Sequence, residues 1–273
     1  MQINATKNIK KITSSMKMVS AAKLKGDENR LALAKPFNAW TGGLNSEPKM
    51  IEDATFDDIP QKTLIVPFTS ERGLCGGINS FITKGTRNCI HALNEKGKEC
   101  DVVVIGEKGR SQLRRLFSDK IVSSLTDVLS PGTFTLASHL ASEVLAASGD
   151  YDAVVVIYNS YVNPAVYTQA YQVLKPLKGE GEDDETLFGH EFDGDKSELM
   201  EDMYEYMMAC QFYYTFMDGA AAEQSARMAA MENATKNAGE MIDSLTLQYN
   251  RARQARITTE LIEIISGASA LDE

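Results

Sequence analysis

Proline is scarce in this sequence, with seven residues in 273, and none lies beyond Pro176. Proline breaks helices because it lacks a backbone N–H and its ring collides with the preceding turn. From about Ser197 to Ser266 the helix-favouring residues Ala, Met, Glu, Gln, Leu, Arg and Lys dominate the composition. We therefore predict a helix of roughly 70 residues, which at about 1.5 Å per residue would be on the order of 100 Å long.

Cysteine and histidine are also few. Cys75, Cys89, Cys100 and Cys210 show no Cys-x-x-Cys spacing, and the three histidines are scattered along the chain. A chain of this length can bury a core without disulfides, so we expect reduced thiols. Structural metal sites need clustered Cys and His ligands, so we expect no metal site and no cofactor held in this way.

Long apolar runs are missing. The densest stretches, Val102–Ile105 and Val154–Tyr158, are far shorter than the run of about 18 residues that crosses a membrane. We therefore expect any membrane contact to be indirect.

The net charge of −10 is local and not uniform. Between Glu180 and Glu205 there are twelve acids against Lys196 alone, whereas the segment from Met1 to Lys35 has an excess of bases. The segment from Lys178 to Lys196, rich in acids and glycine, is predicted to be a loop that leads into the long helix.

Apolar residues in the long helix recur at alternating spacings of four and three, which is the seam of a coiled coil. This seam comprises Met203, Met207, Cys210, Tyr214, Met217, Ala221, Gln224, Met228 and Met231. It continues with the small residues Ala234, Ala238, Ala252 and Ala255, which would let a second helix approach closely.

The last part of the long helix has a different pattern. Between Ile257 and Leu271 the apolar residues are predicted to surround the helix. A helix that is apolar on all sides needs a surrounding partner, and a free end of this kind would promote aggregation. We infer a hydrophobic sleeve supplied by another protein.

The N-terminal segment predicts a second coiled-coil helix. Ile9, Ile12, Met16 and Val19 recur at spacings of three, four and three. This helix is the natural partner of the C-terminal one, and we expect Pro36 to kink it without ending it.

The middle of the chain alternates predicted strands and helices, which favours a small α/β domain with a mostly parallel sheet that ends in an antiparallel hairpin. The predicted organisation is an N-terminal coiled-coil helix (1–50), a linker (51–62), the α/β domain with its acidic loop (63–196) and a C-terminal coiled-coil helix (197–273). The predicted elements are strand 63–69, helix 79–95, strand 101–106, helix 107–117, strand 121–128, helix 134–148, strand 152–162 and strand 167–177.

A glycine motif, Glu71–Asn79 (ERGLCGGIN), lies between the first strand of this domain and its helix, where nucleotide-binding folds place a phosphate loop. It has neither the G-x-G-x-x-G nor the G-x-x-x-x-G-K-[ST] spacing, so tight turning and close packing are the favoured interpretation. Cys75 has no matched histidine that would make it a nucleophile. No catalytic carboxylate pair or triad emerges elsewhere, so we expect no catalytic residues.

Three residue stretches together resemble the gamma subunit family of F-type ATP synthases. The segment Ile257–Leu271 (ITTELIEIISGASAL) is similar to the family's C-terminal signature, Lys7–Lys25 to its N-terminal helix, and Glu71–Asn79 to its central glycine motif. The resemblance covers nearly the whole chain. The stretch Met231–Asp243 (MENATKNAGEMID) resembles mitochondrial members more than bacterial ones.

The resemblance implies a central rotor shaft that is not itself catalytic. It implies an antiparallel coiled coil of the two terminal helices inside a ring of alpha and beta subunits, plus a Rossmann-like α/β domain. With the delta and epsilon subunits, this domain would stand on the membrane ring of c subunits at the matrix side of the mitochondrial inner membrane. Proton flow would turn that ring, and the shaft would drive ATP synthesis at catalytic sites in beta. No nucleic-acid partner is implied.

The resemblance also implies partner contacts for particular residues. Those expected at the lever loops of beta are Met16, Lys17, Arg72 and Cys75, and those expected at its catch loops are Arg253, Gln254, Thr258 and Glu260. Ile264, Ile265 and Leu271 would fill the apolar bearing. Arg256 departs from the family pattern, because mitochondrial relatives carry a small apolar residue there.

Two other functions remain open from the residues alone. A small α/β enzyme that dimerises through a coiled coil would have a ligand pocket at the Gly73–Gly77 turn and would pair helices from two copies. A structural tether would hold its partner without rotating. The shaft hypothesis instead predicts that the two termini of one chain pair with each other and that no nucleotide binds to this chain.

Overall fold

The computed structural model describes residues 2–43, 47–52, 54–128, 132–147, 151–177 and 193–269. The helices are α1 (Gln2–Ala39), α2 (Ile78–Glu95), α3 (Glu107–Phe117), α4 (Phe134–Ala147) and α5 (Lys196–Ser269), and a 3-10 turn (Trp40–Gly43) follows α1. The strands are β1 (Lys49–Met50), β2 (Lys62–Pro67), β3 (Glu99–Ile105), β4 (Ile121–Leu125), β5 (Ala153–Asn163) and β6 (Val166–Leu174). The long C-terminal helix is confirmed, and Pro36 lies inside α1 as expected.

The chain divides into two compact units. The helical unit comprises Met1–Val19 and Met228–Glu273, and the sheet unit comprises Ser20–Arg227. Helices α1 and α5 each contribute a segment to both units. The boundaries predicted for the four segments of the chain remain predictions.

The sheet unit is built on one six-stranded sheet in the order β1-β6-β5-β2-β3-β4. Strands β5, β2, β3 and β4 run parallel, whereas β6 and β1 are antiparallel to their neighbours. The predicted α/β fold with a mostly parallel sheet and a final hairpin is therefore confirmed. The central strands β2, β3 and β5 contain nearly continuous apolar runs, as expected for strands that helices cover on both faces.

Alternate side chains of each central strand enter two separate cores. Leu64 and Val66 of β2 pack with α4 and α5, where Met207, Met208 and Phe212 are fully buried. Ile65 of the same strand packs on the other side with α2 and α3. The seam residues Met207 and Tyr214 of α5 thus also pack in the core that covers one sheet face.

The segment predicted as an irregular acidic linker is packed against the sheet unit. Phe56 and Ile59 are buried in the core beside α2, and the ring of Phe56 lies 5.1 Å from that of Tyr171. The Tyr171 hydroxyl donates to Asp58 at 3.0 Å, which Lys49 also contacts at 3.0 Å. The sequence analysis predicted a linker from the acidic residues of this segment and did not predict that Phe56 and Ile59 would be buried.

Helices α1 and α5 pair in antiparallel fashion within the helical unit. Lys17 Nζ donates to Glu232 Oε1 at 2.6 Å, and the hydroxyls of Thr13 and Thr235 lie 2.8 Å apart. One turn further along, a Cβ added at Gly239 would lie 3.3 Å from Lys10 Nζ. The prediction that the two termini of one chain pair with each other is confirmed.

The seam predicted on α1 is wrong at Ile9, Ile12 and Val19, whereas Met16 is half-buried. Ile9, Ile12 and Val19 are 53%, 58% and 56% exposed. The buried positions of α1 are Thr6, Ser20, Leu24, Asp27, Leu31 and Ala34. Several of these are polar and spaced by seven, so a search for apolar residues at heptad spacing selects a neighbouring stripe of the helix.

On α5 the predicted seam is confirmed as far as Ala238, which is buried. Ala252 and Ala255 are exposed, as is every described side chain from residue 246 to residue 266. Toward its C-terminal end α5 therefore has no cover from the described part of this chain.

Candidate partner-binding surfaces

The first candidate surface, which we call the terminal surface, comprises residues 251–266 of α5. Its large aliphatic side chains are exposed, with Ile264 at 69% and Ile265 at 56%. At about 100° per residue, Ile257, Leu261, Ile262, Ile264 and Ile265 cover about 160° of the helix circumference. These residues form an exposed apolar stripe, with Thr258 inside it, of a kind that usually marks an interaction site.

The prediction that this end is apolar on all sides needs correction. Thr259, Glu260 and Glu263 lie on the side opposite the apolar stripe. A partner that buries the stripe therefore does not need to be apolar all around the helix. Leu271, predicted to join the apolar bearing, lies outside the described residues.

Polar residues predicted to contact a partner are also exposed at the terminal surface. Arg253, Gln254, Thr258 and Glu260 all present their side chains to solvent. The Thr258 hydroxyl donates to the Gln254 carbonyl at 2.9 Å, within the helix. These side chains are accessible to a partner that packs along the helix.

Arg256, the residue that departs from the family pattern, pairs with Glu260. Its Nε donates to Glu260 Oε1 at 2.8 Å, one turn away on α5. Both side chains are more than half exposed, so the pair contributes little to helix stability. In the isolated chain the Glu260 carboxylate therefore already has a weak partner on its own helix.

Met16 and Lys17, predicted to contact a partner from α1, are half-buried. The ammonium group of Lys17 is already engaged with Glu232. The exposed stripe of α1 instead carries Ile9, Ile12 and Val19. The sequence analysis assigned these three residues to the helix seam, and their structural exposure makes them a further candidate surface.

The glycine motif forms a tight loop at the carboxyl end of β2. The side chain of Asn79 organises it, since its Oδ1 accepts from the Ser70 amide at 2.9 Å. Its Nδ2 donates to Ser70 Oγ at 2.8 Å and to Cys75 Sγ at 3.3 Å. Gly76 adopts a φ of 63°, which supports the interpretation that the glycines permit tight turning.

Cys75 does not lie at a surface. Its side chain is buried against Ile78, Ala222 and Ala226, and burial raises the pKa of its thiol. The thiol of Cys75 is thus enclosed in this conformation, and the expected contact of Cys75 with a partner stays a prediction. The motif's accessible side chains are those of Arg72 and Leu74.

A largely enclosed ion pair on α5 contacts the tip of this loop. Arg227 Nη2 contacts Glu223 Oε1 at 2.5 Å and the Gly73 carbonyl at 3.4 Å. Next to it, Leu74 is 65% exposed and has a φ of 64°, an unfavourable backbone conformation for a branched residue. The sequence analysis did not identify Glu223, Arg227 or Leu74. The i, i+4 spacing of Glu223 and Arg227 would have indicated an ion pair on the helix.

A cavity of about 60 Å³ lies beside the glycine motif, at the carboxyl ends of β2 and β3. Its lining includes Ser70, Glu71 and Asn79 from the motif and Thr215 and Gly219 from α5. Small-molecule sites typically enclose roughly 300 to 1,000 Å³. Helix α5 thus lines one side of a cavity that is much smaller than a typical small-molecule site.

Among the described residues, no helix combines the length and apolar character that a membrane span requires. In the same ranges no cluster of His, Cys, Asp and Glu has a geometry suited to a metal ion.

Comparison with known proteins gives consistent matches along the chain. The sequence profile of the ATP synthase family matches residues 1–271. The gamma chain of ATP synthase from Fuscovulum blasticum is 38% identical over 283 residues, covering 99% of this chain and 97% of that protein. The mitochondrial F(1) complex subunit gamma of Rattus norvegicus is 41% identical over 278 residues, with the same coverage.

A solved structure shows the same similarity. A chain in the cryo-EM structure of the Tetrahymena thermophila mitochondrial ATP synthase, central stalk and c-ring, superposes with a TM-score of 0.68 and 32% identity. The match covers 82% of this chain and 99% of that chain.

Proposed function

The chain belongs to the gamma subunit family of F-type ATP synthases, and its role is that of the central rotor shaft; we propose that it acts there without catalytic residues of its own. In this proposal, proton flow turns the c-ring to which the shaft is attached. The terminal surface turns within the ring of alpha and beta subunits, and its contacts bias the conformations of the catalytic sites in beta.

The observation that carries this proposal is the exposed apolar stripe at the end of a helix that pairs with the other terminus of the same chain. A free monomer with such a stripe would aggregate, so a partner must cover it. Pairing within one chain supports the shaft over a homodimer, because the coiled coil needs no second copy of the chain.

The absence of catalytic residues is supported by the space at the glycine motif. The enzyme hypothesis requires a ligand pocket at the Gly73–Gly77 turn, and a cavity of about 60 Å³ is too small for a nucleotide. In our proposal this motif is a contact loop, and Arg72 and Leu74 are the side chains that it presents to beta.

We propose that the partners are the alpha and beta subunits at the terminal surface, and the delta and epsilon subunits together with the c-ring at the sheet unit. The chain would lie at the matrix side of the mitochondrial inner membrane, as a peripheral subunit of the complex. Support comes from the mitochondrial relative and from the central-stalk structure with its c-ring.

The role of Arg253 can be tested by replacing it with alanine in the assembled complex. Loss of a hydrogen bond to a charged group costs about 1.5 to 3 kcal/mol, so we expect ATP synthesis to fall about tenfold or more. The matched control is Arg251→Ala, since Arg251 lies nearly opposite Arg253 on α5 and is also exposed.

The rates of ATP synthesis and of proton-coupled ATP hydrolysis would be measured for both variants after confirming equal assembly. A selective loss in Arg253→Ala supports the catch-loop contact. Equal rates in the two variants would show that Arg253 makes no such contact.

A further inference from the structure

The β5–β6 hairpin extends beyond the strand that supports it. Strand β2 ends at Pro67, which pairs with Ile157, whereas β5 continues to Asn163. The register of the hairpin also shifts between Tyr161 and Asn163. This outer part of the hairpin, residues 158–167, therefore depends on other elements to hold it, and we call it the strap.

Three side-chain contacts attach the strap to the two long helices within the sheet unit. The Tyr161 amide donates to Asp218 Oδ1 of α5 at 2.6 Å. The Tyr161 hydroxyl donates to Glu28 of α1. The hydroxyl of Ser225 on α5 donates to the Pro164 carbonyl at 2.7 Å.

Asp218 is the unusual member of this set. It is 0% exposed, yet only one carboxylate oxygen is satisfied, because Oδ2 has no hydrogen-bond partner among the described residues. The side chains of Ser160 and Tyr214 also interact with the carboxylate and lower its pKa, yet Oδ2 still has no partner among the described residues. An ionised carboxylate with an unsatisfied buried oxygen is costly, and protonation removes that cost.

The groups around Asp218 do not neutralise it. On α1, the ammonium group of Lys35 stabilises the carboxylate weakly. On β5, Tyr158 and Tyr161 are neutral, and on α5 Tyr214 is neutral, since burial raises the pKa of each phenol. Glu28, which accepts from the Tyr161 hydroxyl, is the other acid at the strap.

We propose that Asp218 controls the attachment of the strap to α5 through its protonation state, and we call this the latch. Protonation of the carboxyl group stabilises the attachment, and ionisation destabilises it. The carboxyl keeps its contact to the Tyr161 amide in both states, so the strap stays in place while its stability changes. Because Asp218 lies on α5 and contacts Tyr161 of the hairpin, the latch makes the attachment of the hairpin to α5 sensitive to pH.

The direction of the effect follows from linkage. Burial raises the pKa of Asp218 to about 6, from 3.8 for an exposed aspartate. The closed strap therefore binds the proton more tightly than an opened strap does, and it gains stability as the pH falls through about 6. Between about pH 7.5 and about pH 5, the ratio of closed to open strap should rise about tenfold.

Hydrogen–deuterium exchange of the assembled complex tests the latch. Exchange of peptides covering residues 158–167 would be measured at about pH 7.5 and about pH 5 and corrected for the intrinsic pH dependence of amide exchange. Peptides of α2 serve as an internal reference for global stability. We expect protection of the strap to rise about tenfold at the lower pH, and protection of α2 to change less.

Two variants separate Asp218 from other titrating groups. Asp218→Asn keeps an acceptor for the Tyr161 amide but does not titrate, so the pH dependence of strap protection should disappear. Lys35→Gln removes the nearby cation, so the midpoint should move to higher pH. The latch is wrong if wild-type protection is the same at both pH values, or if Asp218→Asn retains the tenfold change.

Discussion

Replacing both Ile264 and Ile265 with aspartate is expected to prevent the chain from entering the ATP synthase complex. Each aliphatic side chain that becomes buried on assembly contributes about 1.5 to 3 kcal/mol, and placing a carboxylate in the same apolar environment costs more. Two such changes should weaken assembly by several kcal/mol, or more than a thousandfold in affinity. The measurement is the amount of alpha and beta subunit recovered with the tagged chain.

The matched control for this double variant is Ile264→Leu with Ile265→Leu, which keeps the volume and apolar character of both side chains. Both positions are exposed in the isolated chain, so neither pair of changes should alter its own folding. Unchanged recovery of alpha and beta with the aspartate variant would contradict the proposal that the terminal surface is covered by them.

The second large effect is expected at Gly106, which joins β3 to α3. Its φ is 94°, and a Cβ added there would lie 2.3 Å from the Thr69 carbonyl oxygen. Gly106→Ala would therefore combine backbone strain with a steric clash against the backbone of Thr69, which lies between β2 and the glycine motif. We expect a clear drop in the urea midpoint of unfolding of the full chain.

Gly97→Ala separates the two causes. Gly97 also has a positive φ, 66°, but an added Cβ would meet nothing within 4 Å. This control should lose about 1 to 2 kcal/mol from strain alone, and Gly106→Ala should lose about 1 to 3 kcal/mol more. Equal losses in the two variants would show that the close approach of Thr69 and Gly106 contributes nothing.

The order of elements could be predicted from the sequence because each has a strong local signal. Helix α3 begins at Glu107 and ends at Phe117 as predicted, and the strands β3 and β5 follow from their apolar runs. The length of α5 follows from the absence of proline beyond Pro176. Local composition was sufficient in these cases because packing and propensity favour the same structure.

The contacts on α1 could not be predicted in the same way. The buried stripe includes Thr6, Ser20 and Asp27, whereas the exposed stripe carries Ile9 and Ile12. In a chain that functions inside a larger complex, a partner protein can bury apolar residues that the chain's own core leaves exposed. Periodicity alone cannot distinguish these two uses of an isoleucine.

The exposure of candidate contact residues could be predicted from the local pattern, whereas their tertiary packing could not. Ile264 and Ile265 are apolar residues at a helix end, and the structure leaves them exposed. Cys75 lies in a loop whose motif is characteristic, but its burial depends on Ala222 and Ala226, nearly 150 residues away in the sequence. The ion pair of Arg227 and Glu223 against the Gly73 carbonyl depends on the same long-range packing.

Native mass spectrometry of the complex captured through a tag on this chain, from its own cells, tests the central claim most directly. The shaft proposal predicts one copy of this chain bound to several copies of two kinds of nucleotide-binding subunit. A homodimer of this chain that retains a small ligand, with no such subunits, would contradict the proposal and return attention to the glycine motif as a ligand site.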